Sequence, residues 1–344
     1  MLDGRLAAQP RIPRAAAAVN ELASESWVWS GSAVEFESVV AAACRAGGLG
    51  RVRQLRRRTG GALSQVFEVV TAVGPEPVIA KVYASEWTWK QRKEVHVYEL
   101  LELALSGLAP GIIHAWDAGE VGELACTLMT RLPGRPLSEV ASGLSPETLR
   151  CLYRQLGAMT RRIHSVRQPA FGYVVEEVLE PLPSNETYVR SQFAKKIAHL
   201  SVADVPADLV RQVEQRLEAS GEALAERVDP VLCHNDLHEG NLLVDDAGGA
   251  WTLRGVVDVE NAVAADPLHD LAKTDCYSIR GDPAKLAGLL DGYEITLDEP
   301  ATRTRFDLYR IYHTIELLTW FHQTGQREPL EGLNRQLADL VGTT

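Results

Sequence analysis

Lysine is scarce in this chain: seven of its 35 basic residues are lysines and the other 28 are arginines. Any lysine standing in a recognisable pattern therefore carries more information than usual. Cysteine is sparse and unpatterned. Cys44, Cys126, Cys151, Cys233 and Cys276 form no Cys-x-x-Cys pair and have no histidine at zinc-ligand spacing, which excludes a sequence-signalled zinc module or dithiol motif and predicts a reducing, cytoplasmic setting. Long apolar runs are missing too. No stretch approaches the roughly 20 uncharged residues that cross a bilayer, so no membrane partner is expected. The run Ala15–Val19 is too short for a signal-peptide core and ends at Asn20-Glu21. Positive charge is in deficit, with 35 basic against 46 acidic residues and a net charge of −11. An acidic surface repels phosphate backbones, which argues against nucleic acid as a partner.

What is present is ample for a large core: 344 residues, 46% of them hydrophobic. Residues 1–32 are rich in Ala, Pro and Arg and read as an N-terminal extension. Residues 34–47 read as a helix closed by Gly47-Gly48, followed by strands at 52–57, 65–71 and 78–83, a helix over 87–105, and strands at 112–116 and 124–131. The run at 51–58 holds five arginines in eight residues and reads as an exposed edge strand whose charges prevent edge pairing. After Leu132-Pro133-Gly134 the chain becomes helical. Ser145-Pro146 supplies a cap and a first-turn proline, and Leu149, Leu152, Leu156, Met159 and Ile163 mark one buried helical face. Helices are expected over 183–200 and 208–227, short strands and loops over 231–259, and helices again from 267, the last at 303–323 and 329–341.

The chemistry is concentrated in two segments. Cys233-His234-Asn235-Asp236-Leu237-His238-Glu239-Gly240-Asn241 has the form His-x-Asp-x-x-x-x-Asn, and Val256-Val257-Asp258-Val259-Glu260-Asn261 puts an Asp at the end of an apolar strand, 17 residues after Asn241. Phosphoryl transfer needs these residue types: a carboxylate to orient and deprotonate the attacking hydroxyl, and hard oxygen donors to hold Mg²⁺ against the phosphates. Asp236 fits the first role, Asn241 and Asp258 the second. Gly240 eases the loop reversal between them.

These segments resemble the aminoglycoside phosphotransferase and choline kinase families, which share the protein-kinase-like fold; Asn235 stands where glycine is common in the antibiotic kinases. The likeness covers about residues 50–325. It implies an α+β, bilobal fold: an N-lobe over 33–132 with a five-stranded antiparallel sheet plus a helix, and a mainly helical C-lobe over 133–344. It further implies a third-strand lysine, Lys81 in Val78-Ile79-Ala80-Lys81, paired with Glu94 on the next helix and oriented on the α- and β-phosphates. The turn 59–64, ending at Ser64, would cover the phosphates, and the segment from Met129 through Arg131 to Leu132 would meet the nucleotide base. Asp270 is expected to brace the catalytic loop, and Asp266 to cap the helix that begins at Pro267.

Blander readings stand beside these. His234 is expected to pack under the loop and fix it by hydrogen bonds. His238 is open to two readings, a substrate contact or a loop brace. Glu260 is expected to face the site, at a position where members of the resembling families vary. Cys233 lacks a basic partner and reads as a small buried residue. The aromatic helix containing Tyr312, Glu316 and Trp320 is mostly packing, with some of it lining the acceptor pocket. A polyamine sugar would want several carboxylates there, and Glu316 alone is obvious.

The expectation is a Mg²⁺-dependent O-phosphotransferase that moves the γ-phosphoryl of ATP or GTP onto a hydroxyl of a small molecule. The acceptor class expected first is an antibiotic of aminoglycoside, nucleoside, macrolide or peptide type, inactivated to give resistance. A choline, sugar or amino-alcohol kinase is the nearest alternative, and a nucleotide-binding pseudokinase scaffold the alternative from another class. A protein kinase ranks lower, since no Asp-Phe-Gly or Ala-Pro-Glu segment occurs. The protein is expected to act as a monomer or homodimer.

Overall fold

The computed structural model describes residues 33–58, 64–119, 123–200, 205–246 and 248–342. The expected extension 1–32, and the expected phosphate-covering turn apart from Ser64, lie outside the described residues.

The first part is a helix on an antiparallel sheet. Helix α1 (Ala33–Ala46) precedes strands β1 (Val52–Arg57), β2 (Ser64–Thr71) and β3 (Val78–Tyr83). Helix α2 (Thr88–Ala104) follows, then β4 (Ile112–Trp116) and β5 (Ala125–Thr130). The sheet order is β1-β2-β3-β5-β4. The arginine-rich β1 lies at one edge with most of its side chains exposed, where charge deters a sixth strand from docking. Phe36, Val39, Val40 and Ala43 of α1 pack against Phe67, Val69, Ala80, Val82 and Leu128 of the sheet. Pairing across β3 and β5 sets Lys81 opposite Thr127 in the middle of the sheet.

Beyond β5 the chain becomes mainly helical. Gly134 has φ 94° and passes so close to β10 (Leu242–Asp246) that a Cβ would lie 2.7 Å from the Val244 carbonyl oxygen, a position only glycine fills without strain. Helix α3 (Pro146–Ile163) is capped by the Ser145 hydroxyl, which accepts from Thr148 N at 3.1 Å. Its expected leucine stripe is buried. The further helices are α4 (Asn185–Leu200), α5 (Ala207–Ala219), α6 (Gly221–Ala225), α7 (Pro267–Thr274), α8 (Pro283–Tyr293), α9 (Pro300–Gln323) and α10 (Leu330–Gly342). The helix expected over 208–227 is thus two helices, broken at Ser220-Gly221. One continuous apolar core runs from Val97, Tyr98 and Leu101 of α2, through α3 and α7, to Leu337 and Leu340 of α10.

Two small sheets went unforeseen. β6 (Arg135–Pro136) joins β10 and β11 (Trp251–Val256) in one, and β7 (Phe171–Val174), β8 (Val178–Leu182), β9 (Val231–Cys233) and β12 (Val263–Ala265) form the other in the order β8-β7-β12-β9. These ladders hold both chemical segments. Pairing of β9 with β12 sets Cys233 opposite Val263, and pairing of β10 with β11 sets Leu242 opposite Val256. The residues just outside those rungs are thereby brought to one place.

Candidate active site

Lys81 reaches inward from β3 and makes two ion pairs of equal length, 3.0 Å to Glu94 Oε1 and 3.0 Å to Asp258 Oδ1. A third carboxylate, Glu260, lies 3.8 Å away. Burial disfavours the Lys81 charge, but these carboxylates outweigh it and hold its pKa well above the ordinary lysine value. Burial also pushes Glu94 up, to about 7, with Lys81 pulling part of the way back. Tyr83 donates its hydroxyl to Glu94 Oε2. Burial would raise Asp258, yet Lys81 and His234 hold it below the ordinary carboxyl value. A lysine held by the helix glutamate on one side and the strand-end aspartate on the other joins the two halves of the molecule at this point.

Asp258 sits in left-handed backbone, at φ 68°. Its N–H donates to the Tyr98 hydroxyl of α2 at 3.0 Å. Helix α2 contributes two more anchors that sequence reasoning missed. The ammonium of Lys93, which is fully buried, donates to the Ala262 carbonyl at 2.7 Å and lies 3.4 Å from the centre of the Tyr173 ring. Lys90 pairs with Glu260 at 3.3 Å. Burial and the neighbouring Lys90 charge push the Lys93 pKa well below that of a free lysine. Two lysines of the seven, three residues apart on a helix already expected, were the available signal. Their partners lie some 170 residues on in the chain, and no local pattern names them.

Across from Lys81, the 234–241 loop presents Asp236. Asn241 Nδ2 donates to the Asp236 carbonyl at 3.0 Å and to its Oδ2 at 3.3 Å, and Asn261 Nδ2 donates to the same Oδ2 at 3.1 Å. Both amides point their nitrogens at Asp236. The Asn241 amide oxygen takes no part in these contacts. Val257 N donates to Asn241 O at 3.0 Å, which brings Asn241 beside Asp258. Asn261 stood in the motif and its role was not read, since only the turn at 259–261 swings it back to the loop.

The loop is held from below by Asp270, which is 1% exposed. Its oxygens accept His234 N at 2.7 Å and Asn235 N at 2.6 Å, and Oδ2 lies 3.1 Å from His164 Nε2. Burial would raise this carboxyl, but its hydrogen bonds and the neighbouring imidazoles hold it below the ordinary value. Asn235 adopts φ 58°. Asparagine is among the few residues that tolerate this region, which is why it can stand where glycine is common. Its Nδ2 donates to Asn261 O at 3.0 Å.

His234 is buried under the loop as expected, but neither ring nitrogen has a hydrogen-bond partner among the described residues; the loop is fixed through its backbone N–H. Burial holds its imidazole below the ordinary pKa, hence neutral at pH 7. His238 is 38% exposed, with Nε2 3.8 Å from Asp236 and Nδ1 accepting Gly240 N at 3.0 Å. Gly240 does not use positive φ; a Cβ there would lie 2.8 Å from the partly exposed His238 ring, which would have to turn aside. Cys233 is buried, and burial holds its thiol far above ordinary. Its sulfur, His164 and Asp270 have ligating atoms within 4.8 Å of one another, but Asp270 is already committed to two N–H groups and the thiol stays protonated, so this is a packing cluster. Asp266 caps α7 through Leu268 N at 2.9 Å and lies 3.1 Å from Arg305.

The remaining candidates scatter. Ser64 is buried at the start of β2 and its hydroxyl has no partner among the described residues. The Met129 side chain lies in the core beneath the segment joining the halves. Arg131 pairs with Glu68 at 3.0 Å. Tyr312 is buried against Phe193 and His269, and Trp320 is 44% exposed beside Phe321. Glu316 is not an open carboxylate: Lys196 at 3.1 Å, Lys273 at 3.4 Å and His313 at 2.8 Å surround it.

A sheet-borne lysine tied to a helix glutamate, set above a His-x-Asp loop with its asparagine and strand-end aspartate, is the arrangement of the protein-kinase-like fold. The chain belongs to the phosphotransferase enzyme family, whose sequence model matches residues 54–309, and within that fold it is a small-molecule kinase. Solved structures agree on the fold. The apo structure of a thermostable mutant of aminoglycoside phosphotransferase APH(4)-Ia is 18% identical, covers 90% of this chain and all of its own, and has a TM-score of 0.64. The GDP and kanamycin complex of APH(2")-IIIa is 12% identical over 89% of this chain and 98% of its own, with a TM-score of 0.62. A candidate fructosamine-3-kinase from Haemophilus somnus is 10% identical over 89% and 97%, with a TM-score of 0.60.

Proposed function

We propose that this protein transfers the γ-phosphoryl group of ATP or GTP to a hydroxyl of a small molecule, with Asp236 as the group that orients and deprotonates that hydroxyl. The observation that carries the proposal is the double pairing of Lys81 with Glu94 and Asp258, both at 3.0 Å, beside an Asp236 steadied by Asn241 and Asn261. A pseudokinase scaffold would have no use for that convergence.

In this reading Lys81 holds the α- and β-phosphates while Glu94 keeps its ammonium in place. The donor set fits Mg²⁺: the Asn241 amide oxygen and the Asp258 carboxylate are hard ligands. Mg²⁺, when bound there, would neutralise charge on the phosphates. Asn241 and Asn261 fix the Asp236 carboxylate so that one oxygen accepts both amides and the other stays open to a substrate hydroxyl. Catalysis is then mostly positioning and charge neutralisation. An antibiotic acceptor, inactivated by the transfer, is supported by neighbours solved with kanamycin or hygromycin B. A metabolite acceptor is a second reading, supported by the pairing of Glu316 with two lysines.

The test is transfer of labelled γ-phosphate from ATP and GTP to a panel of hydroxylated antibiotics and metabolites. Asp236→Ala should lower turnover by about 10²- to 10⁴-fold, the usual contribution of a positioned base, and leave nucleotide affinity within about threefold. Full turnover in that variant would end the assignment.

A further inference from the structure

The cluster around Glu316 has no part in the chemistry above, yet it stands next to it. The link runs through the π-turn Asp275–Ile279 that follows α7. Ser278 of this turn accepts Glu239 N of the catalytic loop at 3.1 Å. Its neighbour Tyr277 lies under the Lys273 ammonium, 5.0 Å from ring centre to nitrogen. Lys273 in turn lies 3.4 Å from Glu316, and Lys196 of α4 lies 3.1 Å from the other oxygen of the same carboxylate. Tyr277 thus lies between Lys273, packed against its ring, and Ser278, which holds the 234–241 loop. π-Turns inside helical segments gather at functional sites.

The charges here do not balance. Two lysines share one carboxylate, and burial holds the third partner, His313, below the ordinary histidine pKa and therefore neutral. One positive charge is left over in a largely desolvated place: the side chains of Lys196, Lys273 and Glu316 are 5%, 9% and 15% exposed. Among the described residues neither ammonium has a hydrogen-bonding acceptor besides this ion pair. A buried cation in excess is costly unless an anion meets it.

The other carboxylates near the loop are engaged as well. Glu239 pairs with Lys285 at 2.8 Å, Glu260 with Lys90 at 3.3 Å and Asp275 with Arg310 at 2.7 Å. A polycationic acceptor would find no unpaired carboxylate among the described residues here except Asp236, which the transfer itself requires.

We infer that the acceptor carries an anionic group, a carboxylate or a phosphate, seated on Lys196 and Lys273 while its hydroxyl meets Asp236. This rests on the phosphotransferase reading and narrows it to hydroxylated acids. Glu316 acts by holding the two ammonium groups in place and does not itself bind an amine.

The experiment measures nucleoside diphosphate release with hydroxylated compounds sorted by charge, among them the matched set D-gluconate, D-glucitol and D-glucamine and the polyamine sugars kanamycin and hygromycin B. Turnover should be confined to anionic members. Lys273→Met should raise KM for them by about 10- to 100-fold, the value of a hydrogen bond to a charged group, with kcat changed far less. Turnover confined to neutral or cationic acceptors, or a KM unmoved by Lys273→Met, overturns the inference and leaves the phosphotransferase standing. No transfer to any compound overturns the phosphotransferase reading and this inference with it.

Discussion

Replacing Asp270 with asparagine exchanges one oxygen for an NH₂ group at the base of the catalytic loop. Both oxygens of Asp270 accept backbone N–H groups, at 2.7 Å from His234 and 2.6 Å from Asn235. Whichever one becomes NH₂ faces a donor with a donor. The loss combines a charge-assisted hydrogen bond, about 1.5–3 kcal/mol, with a buried N–H left unsatisfied, about 1–3 kcal/mol. The sum, about 2.5–6 kcal/mol, brackets the roughly 3–5 kcal/mol usual for breaking a buried charged contact. In a chain of this size it lowers Tm on the order of 5 °C. Because the lost bonds hold the turn that carries Asp236, kcat should fall at least tenfold while nucleotide affinity, which the proposal assigns to Lys81 and Glu94, changes little. The pH dependence has a definite sign. Asp270 is held below its ordinary value of 3.8, so its contribution is complete above that pH and is lost as pH falls through the lower folded value. The Tm gap between wild type and Asp270→Asn should therefore be constant from pH 5 to 7 and narrow below pH 3.8. Calorimetry across pH and steady-state kinetics provide the readouts. A Tm shift under about 1 °C with unaltered kcat would refute the bracing role.

Two further predictions concern packing. Lys93→Met removes the donor that meets the Ala262 carbonyl at 2.7 Å; it should destabilise by about 1–3 kcal/mol and slow turnover more than it weakens nucleotide binding, as melting curves and single-turnover kinetics would show. Gly292→Ala places a Cβ 1.9 Å from the Arg154 carbonyl oxygen and should destabilise by about 1–3 kcal/mol or more, whereas Gly143→Ala, with nothing within 4 Å, should shift the denaturant midpoint little.

The five strands β1–β5, α2 and the α3 stripe were legible because each is a local pattern: alternation in β2, a capped start at Ser145, leucines on one face; their pairing into one sheet came from the family resemblance. Asp236, Asn241 and Asp258 stood out because phosphoryl transfer needs those types at that spacing, and Lys81 because the family resemblance implies it; the folded chain sets Lys81 against Asp258 and Asn241 against Asp236. The β7–β8 hairpin was missed because its strands are short, contain Gly172 and Pro181, and are held by β12, some 90 residues away in sequence. Lys90, Lys93, His164 and Asn261 were missed for a related reason: their meaning lies in a partner that only the folded chain supplies. Glu316 shows the limit most clearly, since a carboxylate on an aromatic helix reads as an amine receptor until Lys196 and Lys273 are found against it.

The contact between α3 and α8 has a mechanical consequence. Gly288 and Gly292, one turn apart, rest against the carbonyls of Arg150 and Arg154, also one turn apart, and Gly157 rests against that of Leu289. The two helices are thus keyed like teeth in a rack. Sliding α8 by one turn would bring Gly288 to Arg154 but press the Ala284 methyl into the Arg150 carbonyl, so the pair has one register. Lys285, carried on α8, is thereby delivered at a fixed height to Glu239 of the catalytic loop. The loop is indexed to a rigid helix pair, and whatever opening admits a substrate must occur elsewhere in the molecule.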